Sequence, residues 1–218
     1  MSNYYKIAII GSGNREHAIA DKLSANGENL VYLCPGNPGM KYISNSNLNF
    51  IDTFDLDDKT NYIPFINELK NINIDLVIIG SEEYINNGLS DLLREHNIKV
   101  IAPSKKALMI ETSKSYGKHV MSIYDIPTAE YLNFPSLNDL INFLQKDSKE
   151  YNNIRKNVLK LDGLAGGKGV FLPNSYNELL NDIEYIKNDP KLIVASSEVL
   201  YEKRLYGLEF SLHAFCDA

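Results

Sequence analysis

Short apolar runs alternating with amphipathic stretches constrain the first half of this chain more than any other feature. The runs KIAII (6–10), LVYLC (30–34), IDLVIIG (74–80) and KVIAP (99–103) are strand-length and nearly continuous in apolar residues. Strands of that kind are covered on both faces, as in a parallel sheet whose crossover helices supply the cover. The stretches 15–25, 56–70 and 84–96 fit those helices, and YINNGLSDLLREH (84–96) carries its apolar residues at helical spacing. We therefore expect an α/β domain over 1–103, with its ligand-binding loops at the carboxyl ends of the strands.

Ala102-Pro103-Ser104 marks the end of that pattern. Beyond it come a helix, KSYGKHVMSIYD, halted before Pro127, a strand, TAEYLNF, and a helical stretch after Pro135. A glycine-rich hairpin, a helix over 176–187 and strands near 191–200 and 208–216 complete the series. Hairpins mixed with helices make 104–218 a distinct α+β domain, with a lid over about 125–195. LEFSLHAFC (208–216) is a strong strand pattern close to Ala218. A strand without following cover leaves an open edge, so a fold cut short is expected.

The net charge of −6 disfavours nucleic acid as a partner, because phosphate backbones need a positive face. No apolar run approaches the roughly 18–20 residues that span a bilayer, and MSNYYKIAII lacks the layout of a signal peptide. Cys34 and Cys216 lie far apart without metal-site spacing, as expected of buried free thiols in the cytoplasm.

GSGNREHAIA (11–20) follows a buried strand and opens a helix. Gly11 and Gly13 permit a tight turn that leaves N–H groups for an anion at the helix N-terminus, beside Arg15 and His17. A dinucleotide fingerprint would place a third glycine where Glu16 stands and an acid about 20 residues on, where this chain has LCPGNPG. NAD is therefore disfavoured. A plain strand-to-helix turn with a packed His17 is the simpler alternative. PGNPG (35–39), with Asn37, ends the second strand as either a binding loop or an ordinary turn. In GSEE (80–83), Glu82 suits a ribose hydroxyl or an amine, and equally suits the dipole of the next helix.

Gly163, Gly166, Gly167 and Gly169 surround Lys168 in DGLAGGKG (162–169), between the apolar runs VLKL and VFL. A Walker loop needs Gly-Lys-Ser/Thr running into a helix, but here Lys168 is followed by Gly169 and a strand. A glycine loop between strands folds over phosphates as a flap, using backbone N–H groups and a lysine. Lys160, at the end of the first strand, is placed to reach α- and β-phosphates. The competing reading is a flexible turn with a solvated lysine.

Together, IIGSGNREHAIADKL, CPGNPG, DLVIIGSEE, ETSKSYGKHVMSIYDIPTAEYLNF, LKLDGLAGGKGV and SEVL…GLEFSLHAFCDA closely resemble the phosphoribosylamine–glycine ligase (glycinamide ribonucleotide synthetase) family of ATP-grasp enzymes, in order and across essentially the whole chain. The resemblance implies a Rossmann-like preATP-grasp domain followed by an incomplete ATP-grasp domain. It implies that Lys114 and Lys160 contact ATP phosphates beneath a flap formed by Asp162, Gly163, Gly166, Gly167, Lys168 and Gly169. Glu198–Leu200 would be the adenine hinge and Glu209 would lie near the ribose. Gly11, Gly13, Asn14, Arg15, Glu16 and His17, with Asn37 and Glu82, would hold 5-phosphoribosylamine. The implied reaction joins glycine to that amine in purine synthesis, with ATP and Mg2+ (or Mn2+) and a glycyl phosphate intermediate.

The family's metal ligands and glycine-binding groups belong to a carboxyl-terminal half with no counterpart here. By resemblance this chain is thus a fragment inactive alone, needing that half from another chain. The alternative is a non-catalytic nucleotide-binding protein or one subunit of a split ligase. Four departures from the family pattern stand out: Asn14 for glycine, Ser81 for proline, Ser197 for an acid, and a longer Tyr201–Gly207 turn.

Overall fold

A computed structural model describes residues 4–25, 27–43, 47–147, 151–212 and 214. The chain divides into two compact units, Met1–Met109 and Ile110–Ala218.

In the first unit, β1 (Tyr5–Gly11), β2 (Asn29–Pro35), β3 (Leu48–Phe50), β4 (Leu76–Ile79) and β5 (Val100–Ile101) form one sheet in the order β3-β2-β1-β4-β5. Every pairing is parallel. Alternate residues of β1 enter different cores, as a strand covered on both faces requires. Ala8 and Ile10 pack with Phe65, Ile66, Leu69 and Leu89, whereas Ile9 packs with Ala20, Val31, Leu33 and Met40. The covering helices are α1 (Asn14–Ser24), α2 (Tyr62–Ile72), α3 (Glu82–Asn86) and α4 (Leu89–Glu95). The single helix expected over 84–96 is two, because Gly88 takes φ +93° between them. The helix expected over 56–70 starts only at Tyr62. Strand β3, three residues long and preceded by Asn47, was too short to stand out in the sequence. Its order puts the chain's reversal between β1 and β4, where the loops after those strands part to opposite sides and leave a crevice.

Helix α5 (Lys105–Thr112) contains the boundary between the units. The second unit continues with α6 (Lys114–Ile123), β6 (Tyr131–Phe134), α7 (Leu137–Lys146), β7 (Asn157–Leu161), β8 (Val170–Phe171), α8 (Tyr176–Asn188), α9 (Pro190–Ala195) and β9 (Val199–Lys203). Its sheet runs β6-β9-β7-β8, antiparallel throughout. Leu159, Leu161, Val199 and Tyr201 face a core built with Leu140 and Leu144 of α7 and Leu179 and Ile183 of α8. The strand period of two then sends Val158, Lys160, Leu200 and Glu202 to the opposite face.

The structure departs from two expected strands. Residues 191–195 are helical, because the Asp189 side chain accepts the Lys191 and Leu192 N–H groups and Pro190 occupies the first turn. Residues 208–212 form no strand, and Leu208, Phe210 and Leu212 are 98%, 91% and 89% exposed. Alternation of apolar residues makes a strand only where a neighbour completes the ladder. The rest of that stretch, including Cys216, lies largely outside the described residues. Among the described residues no helix is long and apolar enough to cross a membrane.

Candidate functional sites

The crevice of the first unit is a cavity of about 440 Å3 lined by Ser12, Gly13, Asn14, Arg15, Glu16, Asp57, Ser81, Glu82, Glu83 and Tyr84. It combines the end of β1, the first turn of α1 and the start of α3. Arg15 Nη2 donates to Glu82 Oε1 at 2.8 Å, an exposed pair across the opening. Burial works against the Glu82 carboxylate, but hydrogen bonding and the Arg15 charge outweigh it and hold its pKa below the ordinary value. The Tyr84 hydroxyl is pushed up to about 12 by burial and by the neighbouring Asp57 and Glu83 charges.

Glu16 changes the expected chemistry of the glycine turn. Its side chain is buried, and Oε2 accepts the Gly13 N–H at 2.7 Å. The turn was expected to leave that N–H for an external anion; the protein's own carboxylate takes it instead. A Cβ at Gly80 would overlap the Glu16 carboxylate, and one at Gly11 would lie 2.8 Å from its Cδ. The absent side chains at Gly11 and Gly80 thus make the room that Glu16 fills. Asn37 ties two loops together: its Nδ2 donates to the Ser12 carbonyl at 3.0 Å, and its Oδ1 accepts the Met40 N–H at 3.2 Å. His17 packs beside Gly39, where an added Cβ would stand 3.1 Å from its Cε1. Asn14 is exposed at the head of α1.

In the second unit, Ile110, Lys114, Gly117, Lys118, Met121, Thr128, Lys160, Leu200 and Glu202 line a cavity of about 250 Å3. Lys114 opens α6, whose N-cap Ser113 accepts the Tyr116 N–H at 3.1 Å. Lys114 Nζ donates to the Leu161 carbonyl at 2.8 Å, with the Asp162 and Gly163 carbonyls at 3.4 Å. Asp162 Oδ1 accepts the Ser115 N–H at 2.6 Å, so its carboxylate caps the helix that carries Lys114. Burial, joined by the Lys160 charge and opposed by Asp162, lowers the Lys114 pKa.

Gly166 and Gly167 adopt φ +57° and +81° at the tip of the β7–β8 hairpin, with nothing near their missing side chains. Glycine is needed there for the backbone turn, not for space. Lys168 is exposed beside them, whereas Gly169 is buried and its carbonyl accepts the Leu161 N–H at 2.8 Å. Gly163 donates to the Ala195 carbonyl at 3.0 Å.

Lys114, Lys160 and Leu200 therefore meet at one cavity. Glu198 and Glu209 do not line it: Glu198 accepts from Asn133 Nδ2 at 3.0 Å, and Glu209 is exposed in the coil after β9. Sequence reasoning missed Glu202, which is 4% exposed and forms ion pairs with both Lys118 and Lys160. The signal was present as an acid inside the apolar run VLYEK. Burial opposes ionisation of Glu202, but the two lysines outweigh it and lower its pKa.

Two family models tile the chain: Phosphoribosylglycinamide synthetase, N domain, over residues 5–111, and Phosphoribosylglycinamide synthetase, ATP-grasp (A) domain, over 112–218. The chain belongs to the phosphoribosylglycinamide synthetase family. Within that family, the phosphoribosylamine–glycine ligase of Rhodopirellula baltica is 35% identical over 98% of this chain and 47% of its own length. That of Fusobacterium nucleatum is 34% identical over 98% and 47%. The chain thus spans about half the length of the curated relatives it matches. The crystal structure of the Thermotoga maritima phosphoribosylamine–glycine ligase superposes with a TM-score of 0.67 at 26% identity, covering 93% of this chain and 44% of that one. The ADP complex of an N5-carboxyaminoimidazole ribonucleotide synthetase shares the fold, with a TM-score of 0.65 at 17% identity over 94% and 48%.

Proposed function

We propose that this chain carries the ATP-binding and phosphoribosylamine-binding parts of a phosphoribosylamine–glycine ligase. The observation that carries this reading is the convergence of Lys114 and Lys160 on the cavity floored by Leu200, at the root of a glycine-tipped hairpin. Two ammonium groups beside an apolar floor suit a polyphosphate joined to a flat base.

Bound ATP supplies the phosphoryl group that activates glycine's carboxylate, after which the sugar amine attacks the acyl carbon and phosphate leaves. The chain's residues have narrower tasks. Lys114 and Lys160 offset phosphate charge, which is the dominant requirement of phosphoryl transfer. Asp162 acts indirectly, by holding the head of α6 and with it Lys114. Gly166 and Gly167 allow the hairpin tip to present N–H groups and Lys168 to the phosphates. Leu200 and the backbone of β9 border the base, so the hinge is better placed at Glu202 and the residues after it than at Glu198. Among the described residues no group of three or more His, Cys, Asp or Glu is arranged to hold a metal ion, and none here is assigned to Mg2+.

In the first unit, Arg15 is the cation on the wall of the crevice and suits the sugar phosphate, while Glu82 suits the amine. Glu16 gives the turn its shape by accepting the Gly13 N–H. Calorimetric titration of ATP into wild-type protein and into Lys160→Ala tests the reading. Binding that weakens by about tenfold or more in the variant supports it. Equal affinity removes Lys160 from the site.

A further inference from the structure

The second unit buries more charge than phosphate contacts alone require. Lys118 sits one turn beyond Lys114 on α6, and its side chain is 12% exposed. Its ammonium lies 2.6 Å from Glu202 Oε2, donates to Thr128 Oγ1 at 2.7 Å and to the Ala129 carbonyl at 3.2 Å, and stands 5.3 Å from the centre of the Tyr131 ring. These contacts come from β9, from β6 and from the segment leading into β6, so Lys118 is fixed. Lys160 reaches the same carboxylate through Oε1, but its side chain is 29% exposed and lines the cavity.

A buried carboxylate needs a compensating cation. With one lysine, Glu202 would hold that lysine tightly. With two, the fixed Lys118 cancels the carboxylate charge and Lys160 remains a net positive group facing the cavity. We infer that Lys118 is a positioning residue: by neutralising Glu202 it keeps Lys160 available to an anionic ligand. This rests on the nucleotide reading of the cavity. It adds a residue that sets the strength of the phosphate contact through Glu202 rather than by holding phosphate itself. An ordinary structural ion pair would stabilise the fold without discriminating between charged and uncharged ligands.

That difference supplies the experiment. ATP and adenosine are titrated calorimetrically into wild-type protein, K118M, K118R and K118M/E202Q, with melting curves for each. The readout is the ratio of ATP to adenosine affinity, which cancels changes at the base. In K118M, Glu202 claims Lys160 and the ratio falls by about tenfold or more. K118R restores most of it. K118M/E202Q also restores it, because no carboxylate is left to hold Lys160, and it buries no carboxylate if K118M alone fails to fold. An unchanged ratio in K118M, or a double variant whose ratio stays tenfold below wild type, overturns the inference while leaving the nucleotide site intact. Wild-type protein that binds no ATP overturns the nucleotide reading and the inference with it.

Discussion

Lys114 Nζ donates to the Leu161 carbonyl at 2.8 Å, so the residue that opens α6 is tied to the last residue of β7, where the glycine hairpin begins. The cation and the hairpin root are therefore one mechanical element. Lys114→Met should loosen residues 161–163 as well as weaken ATP binding, at a cost of roughly 1–3 kcal/mol for the lost charged hydrogen bond. Hydrogen exchange should show faster labelling of the Asp162 and Gly163 amides. Unaltered exchange there would mean that the hairpin root holds without Lys114.

Glu202 gives a signed pH dependence. Its pKa is lowered in the folded protein from the ordinary 4.5, so the charged form is the one folding stabilises. That contribution is fully present above pH 4.5 and is lost as pH falls through the lower folded value. The melting temperature of wild-type protein should therefore drop on acidification, and E202Q should drop less over the same interval. Parallel curves for the two proteins would exclude Glu202 as a source of acid sensitivity.

Gly80 and Glu16 make a steric pair. A methyl group at Gly80 overlaps the Glu16 carboxylate, so Gly80→Ala should destabilise the first unit by roughly 1–3 kcal/mol. Glu16→Ala removes the obstacle, and the double variant should be more stable than the sum of the single effects indicates. Additive losses in thermal melts would show that the two positions do not compete for space.

Arg15 and Glu82 separate stability from binding. Their side chains are 68% and 36% exposed, and an exposed ion pair contributes little, about 0.2–1 kcal/mol at most. Arg15→Ala should leave the melting temperature nearly unchanged, weaken binding of glycinamide ribonucleotide, and spare ATP. A large loss of stability, or an equal loss of both ligands, would contradict the role assigned to Arg15.

Much of this architecture was legible because its causes are local. β1, β2 and β4 are continuous apolar runs, and Ser136 and Ser175 cap α7 and α8 through the Asp139 and Glu178 N–H groups. The glycines at 166 and 167 announced a turn that other residues rarely make. What escaped the sequence depends on distant partners. Glu16 read as a missing glycine, because its fit depends on Gly80, far along the chain. Glu202 escaped notice, because its partners Lys118 and Lys160 lie far from it in sequence. The apolar positions 208–212 read as a strand for want of any sign that no neighbour pairs with them.

The proposed function stands on ATP occupying the cavity at Lys114, Lys160 and Leu200. The most direct measurement is a crystal structure of the protein with a non-hydrolysable ATP analogue. Phosphate oxygens are expected within hydrogen-bonding distance of the Lys114 and Lys160 ammonium groups, with the base against Leu200 and the Gly166–Gly167 tip over the phosphates. An analogue bound elsewhere on the chain, with both lysines still directed at Leu161 and Glu202, would contradict it.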